Sequence, residues 1–401
     1  MDDRLSPRST LPAVAASTTA RADVVIVGGG AVGVSAAYHL AAAGAGRVLL
    51  LERESALGIG STGRCAGGFR LQFSSEINVR LSIASLPLIV GFTEMHGLPL
   101  DVSQDGYLFL IRDDVTWSAY RAAAAMQRAL GVPVELLTAA DVADLVPGLA
   151  TDEVVGATYC PRDGIADPSG LTLGYATAAR RAGAEIRTGV QVSSIESDGG
   201  RVTGVLTSAG PIAAPIVVNA AGPWAAQLAA TADVRLPVEP LPRHILVTGE
   251  FDGVPVRRTL VVDTATGFYF HREGAGVLMG MPARNERTTF EARVDDAYVA
   301  DELLPTALRV LPSLEHARIV SRWVGLYEMT PDRHPIIGPV PGLDGLILAN
   351  GFSGHGFQHA PIVGKLLAEL IVDGRATTVD IARLDLGRFA RGAPIQESHV
   401  V

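Results

Sequence analysis

The chain has 401 residues, 48% of them hydrophobic and 19% charged, with a formal net charge of −9. That length exceeds one ordinary core and implies two domains, and the apolar share excludes a disordered chain. The acidic balance argues against nucleic acid or an anionic membrane surface as a partner. Residues 1 to about 20, rich in Ser, Thr, Pro and Ala, read as a loose tail. The run LPAVAAS within it is too short and interrupted for a signal-peptide core. Next comes an apolar run, Val24 to Val27, feeding Gly28-x-Gly30-x-x-Gly33, with a helix to about Ala43, a second run Val48 to Leu51, and Glu52. These are the strand, Gly turn, helix, strand and acidic residue of a dinucleotide-binding unit. Gly28 permits the tight turn, Gly30 lets the backbone approach a pyrophosphate, and Gly33 lets helix and strand pack closely. The helix start at Ala31 and Val32 offers unpaired N–H groups to phosphate. Glu52 is placed to accept hydrogen bonds from ribose hydroxyls. Residues 24 to 46 carry no charge and are long enough to span a bilayer. Six glycines and two short strand-like runs in the stretch favour parallel strands buried on both faces instead.

A Gly-rich loop follows at Gly58 to Arg70, then a helix over about Ser75 to Met95 and a strand at Gly106 to Arg112. Helices are expected at Thr116 to Leu130 and Thr138 to Leu145, and a helix followed by a strand at Asp167 to Glu196. Ile216 to Val218 followed by Asn219-Ala-Ala-Gly222 repeats the pattern of strand into Gly turn. Residues 236 to 325 are richer in strand signals. Leu346 to Gly374 reads as a strand, a Gly-rich loop and an amphipathic helix. A nucleotide-binding domain assembled from residues 21–98, 150–235 and 335–391 is therefore expected, with a substrate domain from 99–149 and 236–334. Cys65 and Cys160 form no disulfide framework and lack metal-ligand spacing, so no metal and a reducing cytoplasm are expected. Of the 33 Lys and Arg residues only Lys365 is a lysine, which leaves one amine for any catalytic role.

Three signatures resemble the D-amino-acid oxidase superfamily, and within it the sarcosine oxidase β-subunit and proline dehydrogenase β-subunit branch. They are the fingerprint ending in Glu52-Arg53, the stretch Ser61-Thr62-Gly63-Arg64-Cys65-Ala66-Gly67-Gly68-Phe69-Arg70, and Tyr327-Glu-Met-Thr330-Pro331-Asp332 followed by Gly351-Phe-Ser-Gly354-His355-Gly356-Phe357. The resemblance spans roughly residues 22 to 390. It implies FAD rather than NAD, and an α/β fold: a Rossmann-like FAD-binding domain of the glutathione-reductase type beside a mixed-sheet α+β substrate domain. It places Ser61, Thr62, Arg64, Gly67 and Gly68 in a flavin loop, and the segment from Gly351 to Gln358 beside the isoalloxazine ring. It matches Val192 to a backbone contact with adenine and Ala221 and Gly222 to a loop near the nucleotide. The dipole of the final helix would favour the anionic reduced flavin.

On the substrate side the resemblance assigns Arg70 to the substrate carboxylate, a role that suits a planar guanidinium fork. The plain alternative is a solvated loop arginine. Tyr327 matches a tyrosine that lines the pocket in sarcosine oxidases, with a core tyrosine as the alternative. His271 shares a strand face with Tyr269 and is either directed at the pocket or buried and hydrogen-bonded. Departures from the family pattern also matter. Gly325 stands where monomeric sarcosine oxidases attach FAD through cysteine, and Asp167 to Gly170 lacks the histidine that holds FMN in the heterotetrameric enzymes. Non-covalent FAD is therefore expected. Leu278 replaces the oxygen-activating lysine and Gln358 a carboxylate-binding lysine, which favours a dehydrogenase over an oxidase.

The expected activity is oxidation of a small amino acid or secondary amine, of sarcosine, proline or opine type, to an imine. Oxygen or another carrier would take the electrons, and a partner subunit or homo-oligomer would fit the resemblance. A rival reading on the same fold is oxidation of a 2-hydroxy acid with His271 as base. Another is a flavin-binding subunit active only in a hetero-oligomer, and a third is an NAD-dependent dehydrogenase.

Overall fold

A computed structural model describes residues 20–399. The expected tail lies outside these residues except for Ala20, which with Arg21 forms a short edge strand parallel to Gly210–Ala213. The centre of the larger sheet is five parallel strands in the order Leu343–Asn350, Ile216–Asn219, Val24–Val27, Val48–Leu51 and Glu185–Arg187. Val24 to Val27 and Val48 to Leu51 are buried throughout, as parallel strands covered on both faces must be. Their alternation sorts the side chains. Val24, Ile26 and Leu50 pack with the helices Ala31–Ala42 and Gly356–Val372. Val25, Val27, Leu49 and Leu51 pack on an antiparallel layer of Val192–Asp198, Arg201–Thr207 and Gly210–Ala213. The two helices cross tightly, because a Cβ on Gly364 would sit 2.2 Å from Ser35 Oγ.

The second sheet has eight strands in the order Ile319–Met329, Glu239–Thr248, Gly276–Met281, Phe268–Glu273, Leu260–Asp263, Tyr107–Ile111, Gly156–Cys160 and Glu135–Leu137. Every neighbouring pair is antiparallel except Leu260–Asp263 with Tyr107–Ile111. One face buries Phe268, Phe270 and Met279 beneath the helix Leu304–Val310. The other carries Tyr107, Ile245, Tyr269 and Leu278, with Ala66 of the Gly-rich loop packed against it. Gly156–Cys160 belongs to this sheet, so the chain returns to the parallel sheet later than residue 150. A three-stranded ribbon of Gly68–Phe69, Gly164–Ala166 and Val102–Ser103 ties the Gly-rich loop to the second sheet.

Local signals account for most element ends. Asp113 Oδ1 accepts from Thr116 N–H at 2.8 Å and starts Asp114–Ala129. The helix expected over Ser75 to Met95 is two, Glu76–Val90 and Phe92–His96, divided at Gly91. Among the described residues no helix is long and apolar enough to cross a membrane.

Candidate active site

A cleft of about 640 Å³ opens at the carboxyl ends of the parallel strands and is walled on its far side by Leu326 to Glu328 of the second sheet. Carboxyl ends of parallel strands are where open α/β sheets hold ligands. The Gly turn forms one wall. Gly28 has φ +114° and an added Cβ there would meet Ala220 O at 2.3 Å, so only glycine fits. A Cβ on Gly33 would lie 1.9 Å from Gly28 O, which explains the close seating of the helix although Gly33 itself does not line the cleft. Gly30, Ala31 and Val32 do line it, and the N-cap residue Gly30 has no side chain to bond the first turn, leaving N–H groups for an anion. Thr62 Oγ1 accepts one of them, from Ala31, at 3.2 Å.

Glu52 stands beside the turn, its Oε2 accepting from Gly29 N–H at 2.6 Å and its Oε1 from Glu54 N–H at 2.8 Å. Arg53 lines the same end, its guanidinium 3.7 Å above the Trp224 ring. Val192, Ala221 and Gly222 complete that end, and Trp224 stacks on Phe290 at 5.8 Å. Trp224 and Phe290 were not picked out by the sequence. A Trp two residues after a Gly turn was the available signal, whereas Phe290 arrives on a loop from the other sheet.

At the opposite end Ser61 donates to Leu326 O at 2.6 Å, and Arg64 donates to Val324 O at 2.9 Å. Cys65 lines this end too, and burial pushes its thiol up to about 11, which keeps it neutral. Tyr327 is half-buried in the wall, and a Cβ on Gly354 would strike its ring at 2.6 Å. Gly354, Gly356 and Phe357 line the cleft where the last helix begins. Glu328 lines it as well, with Oε2 buried and without a partner. Burial raises its carboxyl to about 7, opposed by the backbone N–H groups of Gly351 and Phe352.

Several expected site residues lie elsewhere. Arg70 is 4% exposed and does not line the cleft. Its guanidinium donates to Gln72 O and His399 O and sits 4.0 Å over the Phe73 ring, so the fork expected for a carboxylate is already filled by carbonyls. Gln358 Oε1 accepts from Arg70 N–H at 2.9 Å, and its Nε2 donates to Arg70 O at 3.2 Å. It is a clasp on the backbone, away from the cleft. His271 is 1% exposed, with ring nitrogens 2.8 Å from Arg272 O and 3.1 Å from Ala66 O. Burial lowers it to about 4, so it is neutral and fixed between strand and loop, not free to take a proton from a substrate. His355 turns away from the cleft, edge-on to Phe73 at 4.8 Å, and burial holds it well below the usual histidine range. Gly67, Gly68 and Gly351 shape the backbone behind the wall. A Cβ on Gly67 would meet Ala166 O at 2.4 Å, one on Gly68 the Tyr107 hydroxyl, and one on Gly351 the Thr330 methyl at 2.2 Å.

Asp332 of the signature is structural. It takes Arg388 Nε at 2.8 Å and Nη2 at 2.9 Å, with both residues buried. Among the described residues no group of His, Cys, Asp and Glu has a metal-binding arrangement.

The cleft suits FAD on its own features: a glycine cradle that any Cβ would fill, a helix start whose N-cap is glycine, and one continuous lining that includes both Glu52 and Phe357. Residues 23–370 match the FAD dependent oxidoreductase family, DAO. The chain is 30% identical to FAD-dependent oxidoreductase domain-containing protein 1 of Xenopus laevis, over 95% of this chain and 85% of that protein. It is 31% identical to the mitochondrial sarcosine dehydrogenase of Mus musculus over 92% of its length, but spans only 41% of that larger protein. Its fold is similar to the crystal structure of L-proline dehydrogenase from P. horikoshii, with TM-score 0.88 and 32% identity over 94% of this chain and 100% of that one. The chain belongs to the DAO family of FAD dependent oxidoreductases.

Proposed function

We propose that this protein oxidises the C–N bond of a small amino acid or secondary amine to an imine, which water then hydrolyses. The observation that carries the reading is the lining of the cleft. This lining combines the Gly turn and Glu52 with Cys65, Tyr327 and Phe357, as a site for a cofactor that joins ADP to a reacting ring requires. FAD, when bound, accepts the hydride from the carbon beside nitrogen. The residues around it bind and position. Ala31 and Val32 present the helix N-terminus to the pyrophosphate, and Glu52 and Val192 serve the adenosine end. Arg64, Gly354, Gly356 and Phe357 hold the ring end, and the Tyr327 ring forms a wall against the substrate.

The resemblance in name of two relatives to proline and sarcosine oxidation supports a secondary amine. No strong side-chain base is needed if the amine binds neutral, and the carboxylate nearest Tyr327, Glu328, has its Oε2 buried. The 2-hydroxy-acid alternative loses its base, because both His271 nitrogens face carbonyls in the wall. FAD is held without a covalent bond: Gly325 offers no side-chain atom, and a Cβ there would press on Arg64 at 3.2 Å. The absence of a lysine at Leu278, now seen on the sheet face toward the flavin loop, favours an electron acceptor other than oxygen. Incubation with amines and, separately, 2-hydroxy acids, using a dye as acceptor, tests the reading by mass spectrometry. The expected product is the imine or its carbonyl hydrolysis product from the amines alone. Product from the hydroxy acids alone would overturn it.

A further inference from the structure

Arg70 is filled by carbonyls, and Arg64, which lines the cleft, donates to Val324 O. Another arginine stands nearby. Arg243 lies in the strand Glu239–Thr248 and pairs with Gly325, as Leu241 pairs with Tyr327 and Ile245 with Trp323. Alternation along these strands puts Arg243, Tyr327 and Trp323 on one face. That face meets the flavin loop, where Trp323 Nε1 donates to Arg64 O at 3.0 Å and Gly325 abuts Arg64. The Arg243 guanidinium sits 4.8 Å from the centre of the Tyr327 ring, which lines the cleft; Arg243 itself does not line it in the arrangement paired with Glu286.

The bonding of Arg243 is unusual for a structural arginine. It is 5% exposed, and its Nε is buried with no partner. Its Nη1 donates to Pro242 O at 3.2 Å and forms an ion pair with Glu286. Glu286 does not come from the packed core. Its side chain is 30% exposed, on the loop between Gly276–Met281 and Asp296–Tyr298. The same loop carries Phe290 and Ala292, which line the cleft, with Phe290 stacked on Trp224. One exposed segment thus both covers the cleft and supplies a carboxylate to a buried, incompletely bonded guanidinium.

We infer that Arg243 anchors the carboxylate of an anionic ligand beside Tyr327, and that Glu286 occupies this position as an internal stand-in which the ligand displaces. The inference rests on the amino-acid reading above and narrows it to substrates with a carboxylate. Exchange of one carboxylate for another keeps the buried charge paired throughout, which avoids leaving an uncompensated guanidinium. The loop carrying Phe290 moves with Glu286, so ligand entry and release of the stand-in are one event.

The test is a titration of the FAD-loaded chain with 2-furoate and with uncharged 2-furamide, read by perturbation of the flavin absorbance. Wild type is expected to bind 2-furoate saturably. Arg243→Met should weaken 2-furoate by about 100-fold, as loss of one member of a buried charge pair does, while shifting 2-furamide by less than about threefold. Glu286→Gln should tighten 2-furoate, because the competing carboxylate is gone. If Arg243→Met does not retain flavin, Glu286→Gln decides alone. Unchanged 2-furoate affinity in Arg243→Met, weakened affinity in Glu286→Gln, or a wild type that takes up no 2-furoate would overturn the inference. A protein that binds 2-furoate through Arg243 yet is reduced by no amine would instead defeat the proposed reaction and leave the anchor standing.

Discussion

The side-chain amide of Gln358 is bonded to both backbone polar groups of Arg70, accepting from the N–H at 2.9 Å and donating to the carbonyl at 3.2 Å. This clasp joins the start of the last helix to the Gly-rich loop, 288 residues apart in sequence, and both segments meet at the cleft. Gln358→Leu leaves two buried backbone groups unpaired, so denaturant unfolding should show a loss of about 3 kcal/mol, with weaker FAD retention. Wild-type stability would show that the clasp has no role.

The bidentate pair of Asp332 and Arg388 pins the segment after the signature to the residues that follow the last helix. Asp332→Ala strands a fully buried guanidinium and is expected to cost about 3–5 kcal/mol. The double variant Asp332→Leu with Arg388→Met should be more stable than the sum of the single changes predicts, a coupling that a double-mutant cycle measures.

Glu328 gives the fold a pH signature. Burial raises its carboxyl from 4.5 to about 7. The folded state therefore holds a proton that the unfolded chain releases at lower pH. The stability linked to this group is fully present below about pH 4.5 and is lost as pH rises through about 7, a swing of about 3 kcal/mol. Glu328→Gln removes the titration. The unfolding free energy of wild type relative to this variant should fall between pH 5 and 8. Asp163, whose carboxyl burial also raises to about 7, cancels in that difference. A difference that stays flat with pH would contradict the assignment.

Acid precipitation reports the mode of cofactor attachment. With glycine at 325 and a neutral thiol at Cys65, all flavin is expected in the supernatant, and Cys65→Ser should behave identically. A yellow pellet in wild type would indicate a covalent link.

The stretch from Val24 to Glu52 could be read directly because its signals are local: buried parallel strands give continuous apolar runs, and the turn needs glycine at fixed offsets. Motif spacing also located Ser61, Thr62, Arg64, Tyr327 and Gly354 on the cleft. The destinations of long polar side chains were not legible in the same way. Arg70 ends on the carbonyl of His399 and His271 on that of Ala66, partners 329 and 205 residues away that no local pattern indicates. Glu328 was open to detection, since it adjoins Tyr327 in the wall strand. Arg243 required the register with Gly325, which only strand pairing provides.

The proposed reaction is reduction of bound FAD by a small amino acid or secondary amine. It is tested most directly by mixing the purified chain, without air and without any partner, with L-proline, sarcosine and related amines while following absorbance near ~450 nm, the band of oxidised flavin. Bleaching by at least one carboxylate-bearing amine is expected, with slow recolouring when air is admitted. Flavin that stays oxidised with every amine, or that is bleached only by a 2-hydroxy acid, would contradict it.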